Sequence, residues 1–62
     1  MNKRLICSSG TKEDLQEMIN EFYYSKNYII TDEGTIFNTK LNKTIDNAKV
    51  EFKRKRWRFI LL

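Results

Sequence analysis

Six cationic side chains within ten residues, Lys49, Lys53, Arg54, Lys55, Arg56 and Arg58, form the grouping whose residue types and spacing point most directly to chemistry with a partner. Ammonium and guanidinium groups in series neutralise phosphate oxygens, so such a cluster is the electrostatic footprint expected of nucleic-acid binding. Glu51 is the one acid among them, giving residues 49–58 a net charge of +5; the remainder holds six cations against seven acids. The whole-chain charge of +4 is therefore concentrated in one place. If about five phosphates were neutralised, the logarithm of affinity for duplex DNA would fall with the logarithm of salt at a slope near −4.5. Two other uses of the same residues compete with that one. Lys and Arg on a strand keep it soluble and discourage edge-to-edge pairing, and a basic face can dock on an acidic protein partner.

The residues expected of a catalyst are scarce. There is no His for general acid–base work at neutral pH, and the two glycines, Gly10 and Gly34, make no phosphate-binding loop. Ser8, Ser9 and Gly10 precede a helix start, where backbone N–H groups can hold an anion, but the plainer reading is strand-to-helix turn chemistry. Glu13, Asp14, Glu17 and Glu21 fall at helical spacing and read as a solvated face rather than a metal or acid–base set. Cys7, the single cysteine, cannot form an internal disulfide, and with no Cys/His cluster a zinc site is not expected. It reads as a small buried hydrophobe in a reducing compartment. The expectation is a non-enzymatic protein without cofactor.

The elements that must position the cations follow from hydrophobic periodicity. In residues 48 to 62, AKVEFKRKRWRFILL, apolar side chains at Ala48, Val50 and Phe52 alternate with polar ones; the alternation resumes at Trp57, Phe59 and Leu61 with its parity reversed. A reversal about Arg54 and Lys55 explains the flip, because it pairs Phe52 with Trp57, Val50 with Phe59 and Ala48 with Leu61 on one face. The opposite face then carries Lys49, Lys53, Arg56 and Arg58, with Arg54 and Lys55 at the tip. Trp57 reads as core opposite Phe52, with a base-stacking platform as the alternative.

Upstream, Leu5, Ile6 and Cys7 form a short strand, residues 3 to 8. Thr11 is a helix N-cap with Asp14 three residues on. Leu15, Met18, Ile19, Phe22 and Tyr23 recur at the spacing of one helical stripe, leaving Gln16, Glu17, Asn20 and Glu21 to face water. The helix should span about residues 11–25 and stop near Asn27. Residues 28–31 and 35–38 read as a second hairpin closed by Asp32, Glu33 and a left-handed Gly34, pairing Ile30 with Ile36 and Ile29 with Phe37. Both its faces are apolar, so one must meet solvent, a partner or a second copy. Residues 39–47 are polar apart from Leu41 and Ile45 and suit a turn near Asn42 and Lys43.

Sixty-two residues make one small domain, 1–62. The expected architecture is α+β, in the order β-α-β-β-β-β. One amphipathic helix packs on one face of a four- to five-stranded, mainly antiparallel sheet, and a homodimer through the exposed sheet face or edge is anticipated. The core should be the helix stripe with Val50, Phe52, Trp57, Phe59 and Leu61. No run approaches the roughly 20 apolar residues of a membrane helix. The opening MNKRLICSSG has too few apolar residues for a signal peptide, so a cytoplasmic location is expected.

The stretch YIITDEGTIFNTKLNK, through Tyr28, Gly34, Ile36, Asn38, Asn42 and Lys43, resembles the small β modules that accompany homing endonucleases and other phage-borne proteins. It covers about a quarter of the chain, and the tryptophan-containing lead-in of such modules is absent. The resemblance implies mobile-element biology and assigns no functional residue. Together these readings anticipate a nucleic-acid-binding accessory or regulatory protein, or alternatively a protein-interaction module.

Overall fold

The computed structural model describes residues 3–62. Strand β1 (Arg4–Ser9) leads into helix α1 (Lys12–Tyr23), followed by β2 (Tyr28–Ile30), β3 (Ile36–Asn38), β4 (Lys43–Ile45), β5 (Ala48–Lys53) and β6 (Arg56–Leu61). The strands form two antiparallel three-stranded sheets, one in the order β1-β6-β5 and the other β2-β3-β4. The α+β class is as expected, whereas the single sheet of four to five strands is not. The additional strand, β4, is short and polar, with only Ile45 as an apolar anchor, and so lacks a periodic signature.

Geometry gives a reason for the second sheet. Three strands about 4.8 Å apart present a wider face than one helix about 10 Å across can cover. The helix packs on β1 and β6 and flanks β2, leaving β5 to be covered by β3. Leu15 and Ile19 of the helix, Ile30 and Ile36 of the short sheet, and Ala48, Val50 and Phe59 of the long sheet form one buried cluster. Leu15, Ile19, Ile36 and Phe59 are fully enclosed, each contributing about 1.5–3 kcal/mol through burial.

This core differs from the expected one at its ends. Met18 and Phe22 lie exposed on the flank of the stripe, and Phe52 is 58% exposed. Trp57 and Leu61 are only partly buried against the cluster. Phe22 still meets Phe59 edge-on at 5.3 Å, and Tyr23 stacks on Tyr28 at 4.1 Å, tying the helix end to the start of β2.

The helix begins as expected: Thr11 Oγ1 accepts from the Asp14 N–H at 3.1 Å. It ends earlier, because Tyr24 takes the left-handed conformation (φ 54°). The Tyr24 N–H then donates to Glu21 O and the Ser25 N–H to Asn20 O, the paired bonds of a Schellman motif. Gln16 does not face water as expected. Its amide nitrogen donates to Tyr28 O, and its Oε1 accepts from the Ile30 N–H at 2.9 Å. A side-chain amide thus completes the open edge of β2, the arrangement a neighbouring strand would otherwise supply.

Two backbone features join the sheets. The β2–β3 turn closes on Gly34 at φ +81°, and Gly34 O accepts from the Val50 N–H at 2.8 Å. A Cβ on Gly34 would lie 2.7 Å from Val50 O, so this position requires glycine both for its φ and for the approach of β5. Between β3 and β4, the buried Asn38 accepts from the Lys40 and Leu41 N–H groups through Oδ1, and Asn42 turns the chain at φ 55°. Gly34, Asn38 and Asn42, half of the residues behind the homing-endonuclease resemblance, therefore meet local backbone requirements.

Candidate nucleic-acid interface

The cationic segment is a two-stranded ribbon. Strands β5 and β6 pair in the expected register, Ala48 with Leu61, Val50 with Phe59, Phe52 with Trp57 and Lys53 with Arg56. Alternation places Ala48, Val50, Phe52, Trp57, Phe59 and Leu61 toward the helix side, and Lys49, Glu51, Lys53, Arg56, Arg58 and Ile60 on the outer face. On the third strand, β1 adds Ser8 opposite Arg58 and Leu5 opposite Ile60. Its register slips between Leu5 and Cys7, a bulge that brings both Ile6 and Cys7 against the core. Cys7 is partly buried, and burial pushes its thiol above its ordinary value. It packs as a small apolar residue.

The six cations are not equivalent. Lys49 Nζ lies 2.7 Å from Glu51 Oε2, two residues along the same face. That hydrogen bond pulls the Glu51 carboxyl below its ordinary value and raises the Lys49 ammonium. Lys49 also neighbours Ile60, which is buried at 5% although it belongs to the outer face; a lysine stem laid over such a residue shields it from water. Lys49 is thus largely occupied within the fold. Arg56 donates through Nε to Ser8 Oγ at 3.0 Å, a bond that fixes its direction without neutralising it. Among the described residues, Lys53, Arg54, Lys55, Arg56 and Arg58 have no carboxylate within ion-pair distance.

The tip of the ribbon has an unusual composition for its geometry. Arg54 and Lys55 both hold positive φ, 54° and 64°, the signature of a type I′ turn. Such turns are strongly selected for Asn-Gly or Asp-Gly because a side chain with a Cβ is strained there. Here both positions are cations.

On the opposite side, the exposed face of α1 carries Glu13, Asp14, Glu17 and Glu21. The acids and the basic ribbon therefore lie on opposite faces of the long sheet, separated by the core. A depression of about 430 Å³ beside the helix is lined by Glu17, Asn20, Glu21 and Lys26 and by no residue of the ribbon. Among the described residues, no three His, Cys, Asp or Glu side chains converge as metal ligands would. Among these residues no helix is long and apolar enough to cross a membrane.

The exposure of Phe52 beside Trp57 is the feature that sequence reasoning missed. Their rings lie 4.8 Å apart and are inclined at 50°. Parity assigns Phe52 to the inner face but says nothing of how far the core extends beneath it. The Lys49–Glu51 pair, by contrast, was available as an opposite-charge pair two apart on one strand face. No family model matches the chain, and comparison with curated proteins and with solved structures yields no match.

Proposed function

We propose that this protein is a small nucleic-acid-binding accessory or regulatory protein that contacts phosphates through the β5–β6 ribbon. The observation that carries this reading is the turn: Arg54 and Lys55 occupy two left-handed positions where asparagine and glycine would cost the fold less. Solubility alone would be served by cations at any exposed position, without backbone strain. Lys53, Arg54, Lys55, Arg56 and Arg58 provide about five phosphate contacts, with a smaller part for Lys49 because Glu51 already holds it. The mobile-element setting suggested by the resemblance of residues 28–43 agrees with such a role.

Electrophoretic binding to duplex and single-stranded DNA and to RNA, repeated across salt concentrations, tests it. A slope near −4.5 for duplex, or near −3.5 for single strands, is expected for about five contacts. Replacing Lys53, Arg54, Lys55 and Arg56 by Gln should abolish binding while circular dichroism retains the folded spectrum. Absent or salt-insensitive binding to every nucleic acid refutes the proposal and returns the basic face to the second reading, docking on an acidic protein surface.

A further inference from the structure

We infer that, beyond the phosphate contacts of the ribbon, the cleft between the hairpin and the β2–β3 turn selects unpaired nucleic acid by stacking a nucleobase on Phe52. This rests on the proposed phosphate-binding role and names its substrate class. The cleft, about 280 Å³, is bounded by Phe52, Trp57 and Val50 on the hairpin, by Asp32 and Glu33 on the turn, and by Lys12 at the helix start. That volume lies near the lower limit for small-molecule sites, about 300–1,000 Å³, and suits one base rather than a larger group.

Three features fit a base. The aromatic pair projects beyond the core: Val50 and Phe59 are buried, and the next inner-face pair, Phe52 and Trp57, overhangs it with Phe52 58% exposed. The turn cations adjoin the rings along the chain, Arg54 two residues beyond Phe52 and Lys55 two before Trp57, whereas Lys53 and Arg56 alternate to the outer face. Two residues along the chain are a step of about 7 Å, so each ring and the turn cation nearest it fall within the reach of one nucleotide. The cleft wall carries Asp32, held 3.7 Å from Lys12 Nζ, while that ammonium also lies 6.0 Å from the Trp57 ring centroid. A carboxylate repels phosphate and directs the backbone to the tip. It accepts hydrogen bonds from exocyclic amino groups, which adenine and cytosine carry and thymine lacks. Paired bases have their faces covered by neighbours, so only an unpaired base can enter.

Trp57 is the only tryptophan, so its fluorescence reports directly on occupancy of this cleft. Titration with oligo-dA, oligo-dC, oligo-dT and a duplex of equal length should quench Trp57 with single strands and leave it little changed with duplex. Oligo-dA and oligo-dC should bind more tightly than oligo-dT, and Asp32→Ala should erase that preference. Phe52→Ala should weaken single-strand binding about 5- to 150-fold, the range of one lost stacked base. Phe52→Tyr should retain it, and duplex binding should be unaffected by either change. Salt-dependent binding with unchanged Trp57 emission and an inert Phe52→Ala would overturn the stacking inference while leaving the phosphate reading intact. Absence of binding to any nucleic acid would overturn both.

Discussion

The Arg54–Lys55 turn makes a prediction in which stability and binding move in opposite directions. Replacing the pair by Arg54→Asn with Lys55→Gly installs the residues that a type I′ turn favours. A left-handed residue with a Cβ costs about 1–2 kcal/mol, a cost that Gly avoids and Asn reduces. Allowing for the entropy of the added glycine, the double variant should be more stable by about 1–2 kcal/mol. For a chain of this length each kcal/mol is about 4–8 °C in Tm, so thermal unfolding followed by circular dichroism should shift upward by at least about 4 °C. Binding should weaken at the same time. With about 0.7 counterions released per single-strand phosphate, each contact contributes about fivefold at 0.1 M salt relative to 1 M. Two lost contacts weaken binding roughly 25-fold and lower the salt slope from about −3.5 to about −2.1. A Tm that falls would refute the strain argument. An unchanged affinity in a stabilised variant would refute the assignment of the tip to phosphate binding.

Other consequences follow from single positions. Gly34→Ala places a Cβ where Val50 O lies 2.7 Å away and forces a side chain onto φ +81°; combining strain with the lost inter-sheet bond predicts destabilisation of about 2–3 kcal/mol in urea titration. A chain of this size is expected to have only about 3–9 kcal/mol in total, so much of its stability should disappear. Gln16→Leu leaves the Ile30 N–H without its partner, while the Asn20 amide nitrogen still reaches Tyr28 O, and should cost about 1–2 kcal/mol. Gln16→Glu should destabilise at pH 7 and recover on acidification: facing a carbonyl raises the introduced carboxyl's folded pKa, so the native state binds more protons and stability falls as pH rises. Glu51 has the reverse sign: its folded pKa is depressed by Lys49, so its contribution is present above its ordinary value of 4.5 and is lost as pH falls through the folded value. Carboxyl NMR should give a Glu51 midpoint below 4.5, and Glu51→Gln should tighten nucleic-acid binding by releasing Lys49.

The parts of this fold legible in the sequence are those governed by local period and turn chemistry. The β5–β6 and β2–β3 registers follow from where parity reverses and from Gly34, and the helix start follows from Thr11. Periodicity says which side of a strand is apolar, but not which element covers it. It therefore could not separate one sheet from two, nor show that β3 rather than α1 shields β5. Gln16 was misread for a related reason: a side-chain amide completing the edge of a strand twelve to fourteen residues away leaves no periodic trace. The helix end was misplaced because Tyr24, with an ordinary Cβ, takes the position that glycine or asparagine usually marks. Within the candidate site, the cations and their face were legible. The Lys49–Glu51 pairing was open to the same reasoning, as opposite charges two apart on one strand face, whereas the exposure of Phe52 depends on where the core stops.

Among the described residues, four non-glycine residues hold positive φ, and their differences bear on function. Asn42 is a residue that tolerates this conformation, and its turn requires nothing more. Tyr24 ends a helix and is 96% exposed, and nothing in the structure explains the choice of tyrosine. Arg54 and Lys55 are adjacent, so their strain falls on a single turn, and that turn is the tip of the most basic segment. Departures from the locally preferred residue tend to collect where function sets a competing demand. Two of the three departures meet on the same ribbon as the uncovered Phe52, whose burial would otherwise have strengthened a small core. The hairpin tip is thus suboptimal for the fold twice over, once in its backbone and once in its packing. A phosphate chain passing Arg54 and Lys55 with a base on Phe52 would account for both through one ligand, whereas solubility accounts for the charges but not for the exposed ring.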